Sequence, residues 1–214
     1  MYELSRDQFY KIAPLLENGH PHPEVQSIVE NNNPGWIFTD RIDSPRTALV
    51  WNKGMKGFYL IGDESNDAFT DKLDGFIGNS IAPRMRELGM NYFEVSGHHD
   101  RWSLNSLFAA RELHLWDQIV YMLSYSDAPA IDFSSDGSFR TVNLRSQEWR
   151  NQDFLNREFV YAHMDQFWET QEDFYNKGYG CAAIEGTTMI GVCYSSLVDF
   201  FLKFKQETGN FDAR

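Results

Sequence analysis

Four of the six histidines fall in two short runs, His20-Pro21-His22 and His98-His99 beside Asp100. Zinc is held by three or four ligands in a tetrahedron, and neither run supplies more than two that face one way. The expectation is ordinary surface histidines and no metal site. Two cysteines, Cys181 and Cys193, are too few for a disulfide scaffold or a thiolate zinc cluster. Cys193 stands between Val192 and Tyr194 in a strand-like run, where a thiol reads as a small core side chain. An activated thiolate would need a nearby cation or helix N-terminus, and the neighbouring sequence offers neither. No Gly-x-Ser-x-Gly elbow is present, so serine nucleophile chemistry has no anchor.

Three glycine patterns invite a phosphate. Arg86-Glu87-Leu88-Gly89 closes a helical run, whereas a phosphate loop must open one. Gly178-Tyr179-Gly180 precedes a strand, and Gly54-Met55-Lys56-Gly57 sits in a hairpin turn. The aromatic run from Phe154 to Tyr175 has helical spacing at Phe154, Phe167 and Phe174 and reads mostly as core, with a pocket wall as the other use of its more polar members.

These residues are positioned by a recognisable order of elements. Ser5 to Leu16 and Glu24 to Asn31 read as short helices, joined by a stiff proline-rich connector. Trp36–Thr39, Arg46–Trp51 and Gly57–Ile61 read as strands, the last two flanking a hairpin loop. Asn66 to Leu88 is a long amphipathic helix that Pro83 should kink or split and Gly89 should stop. A strand at Asn91–Ser96, a helix at Ser103–Ala110 and a strand at Leu115–Tyr125 complete a mixed sheet with packed helices. Ser126 to Ser138 reads as a linker. The pattern then restarts with a strand at Phe139–Leu144, one or two helices over Trp149–Asn176, and a hairpin of Tyr179–Ile184 with Thr188–Leu197. The expected organisation is α/β: a module over 1–126, a linker over 127–138 and a second module over 139–214.

The 214 residues suffice for such a pair of cores, and 42% are apolar. Thirty-one acidic against nineteen basic side chains give a net charge of −12. The excess is spread along the chain, which repels phosphate backbones and argues against nucleic acid as a partner. No window approaches 18 uninterrupted apolar residues, and the N-terminus lacks a secretory pattern. A soluble, reduced, cytoplasmic protein with no membrane partner is expected.

The succession ALVW, GFYLIGD, a long helix, ELGMNYFEVSG and LWDQIVYML resembles the N-terminal part of GNAT-type acetyltransferases, in the group related to zwittermicin A resistance proteins. FRTVNL, FWETQEDFYNKGYGCAAIEG and TMIGVCYSS resemble the start of that group's second, acyl-CoA-binding module. The resemblance implies tandem GNAT-like modules, the first degenerate. It implies acetyl-CoA as co-substrate, a small-molecule amine as acceptor and no metal. Trp168, Cys193 and Ser195 are the residues it places nearest the acceptor, with Tyr194 on the opposite strand face. The family's pyrophosphate loop, Arg or Gln-x-x-Gly-x-Gly or Ala, is expected soon after Ser196. The chain instead reads VDFFLKFKQETGNFDAR, so the expectation is a second module truncated before that loop, with no general base or cofactor residue assigned. Such a module leaves a sheet edge for residues 199–214 or a second copy of the chain to cover. A non-catalytic binding module, or a truncated gene product, is the alternative.

Overall fold

The computed structural model describes residues 1–17, 19–116 and 137–196. Two sheets, each with its own core, organise these residues. The first runs β1 (Tyr2–Glu3), β2 (Gly35–Thr39), β3 (Thr47–Asn52), β4 (Gly57–Gly62) and β5 (Val95–Gly97) in that spatial order. β1 to β4 pair antiparallel and β5 joins β4 in parallel, so the sheet is mixed as expected.

β3 is buried at every position because both faces of this sheet are covered. Leu49, Trp51, Phe58 and Leu60 turn toward α2 (Asp67–Phe76) and α3 (Ala82–Glu87). Their alternates Ala48, Val50, Tyr59 and Ile61 turn toward a 3-10 helix (Arg6–Leu16) and α1 (Pro23–Val29). This is the two-residue period of a strand serving two cores. The long helical run does break near Pro83, through a π turn at Ile77–Ile81. A proline has no N–H to continue the ladder, and the widened turn absorbs the mismatch. Gly89 ends the run with φ +75°, a left-handed conformation that glycine adopts without a Cβ clash. A short α4 (Leu104–Leu107) follows β5. The expected strand at Leu115–Tyr125 and most of the linker fall on residues 117–136, outside the described residues.

The second sheet has the order β6 (Arg140–Asn143), β7 (Gly180–Glu185), β8 (Thr188–Tyr194), all antiparallel. Between β6 and β7 lie three helices rather than one or two: α5 (Gln147–Asn151), α6 (Arg157–Phe167) and α7 (Gln171–Lys177). Ser146 and Thr170 cap α5 and α7 by accepting the N–H groups of Trp149 and Asp173, which fixes the extra helix boundaries. One face of this sheet packs on the helices through Val142, Ala182, Ile184, Trp149, Val160, Met164 and Phe174.

Polar contacts join the two units. Asn33 is 1% exposed, and its amide donates to the carbonyls of Phe167 and Ser196. Lys53 Nζ donates to Asp165 O at 3.0 Å. Both therefore serve carbonyls at the C-terminal end of α6, where helical partners run out and the dipole is negative. Arg6 pairs with Glu169 at 2.8 Å, and Lys177 Nζ reaches Asn32 Oδ1 at 3.2 Å. Gly54 lies so close to the second unit that a Cβ there would sit 2.2 Å from Phe167 Cδ1.

Candidate functional site

A cleft of about 490 Å³ opens where α6 leaves the edge of β8. Leu155 forms a parallel bridge with Thr188, its N–H donating to Thr187 O at 3.0 Å and its carbonyl accepting from Met189 N at 3.1 Å. Asn156 then turns the chain with φ +69°, and its side-chain amide donates to Met189 O at 3.3 Å. Asparagine tolerates this left-handed conformation better than other non-glycine residues. The chain swings away as α6, leaving a wedge lined by Asn156, Glu158, Phe159, Met189, Ile190 and Val192.

Ser195 N donates to Tyr179 O at 2.7 Å, and Leu144 N donates to Gly180 O. Antiparallel alternation then turns the backbone N–H and C=O of Val192 away from β7, on the side where Leu155 departs. The cleft thus joins a carboxylate, strand-edge backbone groups and apolar walls. Glu158 stands in the first turn of α6, where the helix dipole favours a negative charge. Phe159 and Ile190 are 53% and 54% exposed. One turn along α6, His163 lies 4.2 Å from the Phe159 ring and 6.4 Å from Tyr194, centroid to centroid. His163 Nδ1 meets Phe159 O at 2.8 Å. A carbonyl only accepts, so the neutral imidazole keeps its lone pair on Nε2. Burial pushes the Tyr194 hydroxyl up from the ordinary phenol value.

The three residues expected near an acceptor do not line this cleft. Trp168 ends α6 with extended backbone and is 1% exposed, its ring edge-on to Phe174 in the second core. Ser195 closes the hairpin, its Oγ accepting from Tyr179 N at 2.9 Å. Cys193 is exposed, not a core thiol, because β8 turns it to the outer face while Val192 and Tyr194 pack inward. Glu158, Phe159 and His163 carry a signal in the sequence all the same. The inward stripe of α6 is Val160 and Met164, and Phe159 and His163, four residues apart, lie together beside it.

Histidine placement also differs from expectation. His98 is 1% exposed, and its ring lies 5.3 Å from that of His22 and 6.4 Å from that of His99. A Cβ on Gly19 would fall 1.8 Å from His98 Nδ1, so only glycine lets the chain lie over this ring. Burial, with the neighbouring His22, His99 and His20, pulls the His98 pKa down to about 4. No group of three or more His, Cys, Asp or Glu able to hold a metal occurs among the described residues. No helix among them is long and apolar enough to cross a membrane.

A family model for GNAT acetyltransferases matches residues 13–199. The chain belongs to this family. An uncharacterised N-acetyltransferase of Bacillus subtilis (strain 168), YdfB, is 19% identical over 201 residues, covering 91% of this chain and 70% of that protein. A solved GCN5-related N-acetyltransferase-like protein from Streptococcus suis 89/1591 aligns over 90% of this chain and 71% of its own, with 13% identity and a TM-score of 0.40.

The family generally uses acetyl-CoA, whose pyrophosphate suits backbone amides at a helix N-terminus. Among the described residues, the first turns of α1, α2, α5, α6 and α7 carry Glu24, Asp67, Glu148, Glu158, and Glu172 with Asp173. α3 continues out of the π turn, and α4 has only four residues. No helix N-terminus among the described residues is assigned to the pyrophosphate.

Proposed function

We propose that the chain binds a small cationic amine in the cleft between β8 and α6 and, as a GNAT member, serves its N-acetylation from acetyl-CoA. The supporting observation is the single carboxylate of Glu158 among apolar walls of Phe159, Met189, Ile190 and Val192. An ammonium group suits Glu158, and an apolar body suits the rest. An ammonium must lose a proton before its nitrogen can act as a nucleophile, and His163 Nε2 is a proton acceptor one turn away. The net charge of −12 favours approach of a cation. Carboxylates at the helix N-termini favour a second reading, in which the same cleft holds an amine without acetyl transfer.

The test incubates the chain with acetyl-CoA and 2-phenylethylammonium and detects the N-acetylated amine by mass. The expected result is product, with Glu158→Gln lowering kcat/KM about tenfold, chiefly through KM. Amine binding without product would select the second reading. Neither binding nor product would contradict both.

A further inference from the structure

We propose that Cys181 and Cys193 form a reversible dithiol–disulfide couple on the outer face of the second sheet. They are the only two cysteines in the chain. β7 and β8 set them directly opposite one another, and both are free and exposed. Their neighbours on that face are small or polar apart from Tyr179, itself 55% exposed. The next pair is Ala183 with Gly191, and Asn143 of β6 flanks Cys181 on the other side. A small reagent therefore reaches both sulfurs.

The register decides what kind of bridge this is. Tyr179 and Ser195 exchange a ladder hydrogen bond, and Gly180 faces β6. Cys181 and Cys193 are therefore a hydrogen-bonded pair, with Cα atoms about 5.5 Å apart. That lies inside the roughly 4.4–6.8 Å span of disulfides, yet Cβ atoms at such a site stand wider than the usual ~3.8 Å. Closing the bridge draws the strands together, and a strained, exposed disulfide is readily reduced. The couple is thus suited to reversal rather than to permanent stapling.

The co-reactant is a low-molecular-weight disulfide such as oxidised glutathione. One cysteine thiolate attacks a glutathione sulfur, the glutathione S–S bond breaks, and one glutathione thiolate leaves and takes a proton. The second cysteine thiolate then attacks the protein sulfur of the mixed disulfide and expels the other glutathione thiolate. The protein gives up two electrons and two protons, and one disulfide becomes two thiols.

The experiment treats the folded full-length chain with oxidised glutathione, blocks remaining thiols by alkylation, and measures intact mass. Cleavage after Glu185 then places the two cysteines on separate peptides. The expected product is lighter by two hydrogens, has the two peptides joined, and returns to the starting mass with dithiothreitol. Cys181→Ser and Cys193→Ser should each stop at a single glutathione adduct. A register control, Cys193→Ser with Val192→Cys, moves the thiol to the inner face at nearly unchanged sequence separation and should also stop at the adduct. Stable adducts on both cysteines of the unaltered chain, disulfide-linked dimers, no reaction, or equal bridging by the register control would each overturn the proposal.

Discussion

At the scale of single residues, two buried polar side chains separate stability from function. Asn33 spends its amide on two carbonyls of the second unit, so Asn33→Ala leaves two part-buried carbonyls without this donor. A loss of about 1–3 kcal/mol in urea unfolding is expected, with the cleft itself unaltered. His98 acts through protonation. Its folded-state pKa of about 4 lies below the ~6.5 of an unfolded histidine. Between these values the unfolded chain binds the extra proton, so stability present above pH 6.5 is lost as pH falls toward 4. His22, His99 and His20 border the ring, and Glu24 pairs with His22 at 3.0 Å. Urea midpoints should fall across that window, and His98→Leu should flatten the fall; an unchanged slope would contradict this reading. Phe159, exposed at the cleft, behaves oppositely: Phe159→Ala should weaken amine binding severalfold while moving the urea midpoint little.

At the scale of elements, α6 has the most consequence, since its N-terminal end forms the cleft and its C-terminal end meets the first unit. Trp168→Ala should cost about 3–5 kcal/mol by opening a cavity against Phe174, measured as a lowered urea midpoint. The strands were legible in the sequence because β3 and β4 are continuous apolar runs around a polar turn. The break at Pro83 was legible from proline chemistry, though not its form as a π turn. The subdivision of residues 147–177 was hidden because Ser146 and Thr170 are short caps within an aromatic-rich run. The site was less readable. The apolar neighbours of Cys193 point to an inward thiol, while strand alternation turns it out. Glu158 and His163 gain meaning only when Asn156 turns α6 away from β8, a tertiary event that spacing alone does not encode. The burial of His98 likewise depends on a segment about eighty residues away.

At the scale of the whole molecule, the two units meet, among the described residues, through polar contacts, several of them to the end of α6, while their buried cores stay apart. The first sheet's cores and the second sheet's core are separate clusters. Removing Lys53, Asn33, Arg6 and Lys177 together (Lys53→Met, Asn33→Ala, Arg6→Ala, Lys177→Met) should therefore uncouple them, and calorimetric unfolding should change from one transition to two. A single transition at a uniformly lower temperature would instead mean that the units unfold together without these bonds. Family membership and a mixed α/β architecture place this chain among acetyltransferases, and the described residues hold a cleft of about 490 Å³ between β8 and α6.

On the proposed function, the wedge between β8 and α6 receives a cationic amine. Titration of the intact, isotope-labelled chain with 2-phenylethylammonium, followed through backbone amide shifts, tests it directly. Saturable shifts confined to Asn156, Glu158, Phe159 and Ile190 to Val192, needing about tenfold more amine in Glu158→Gln, are expected. Shifts centred elsewhere, or none at millimolar amine in a chain whose spectrum shows it folded, would contradict it.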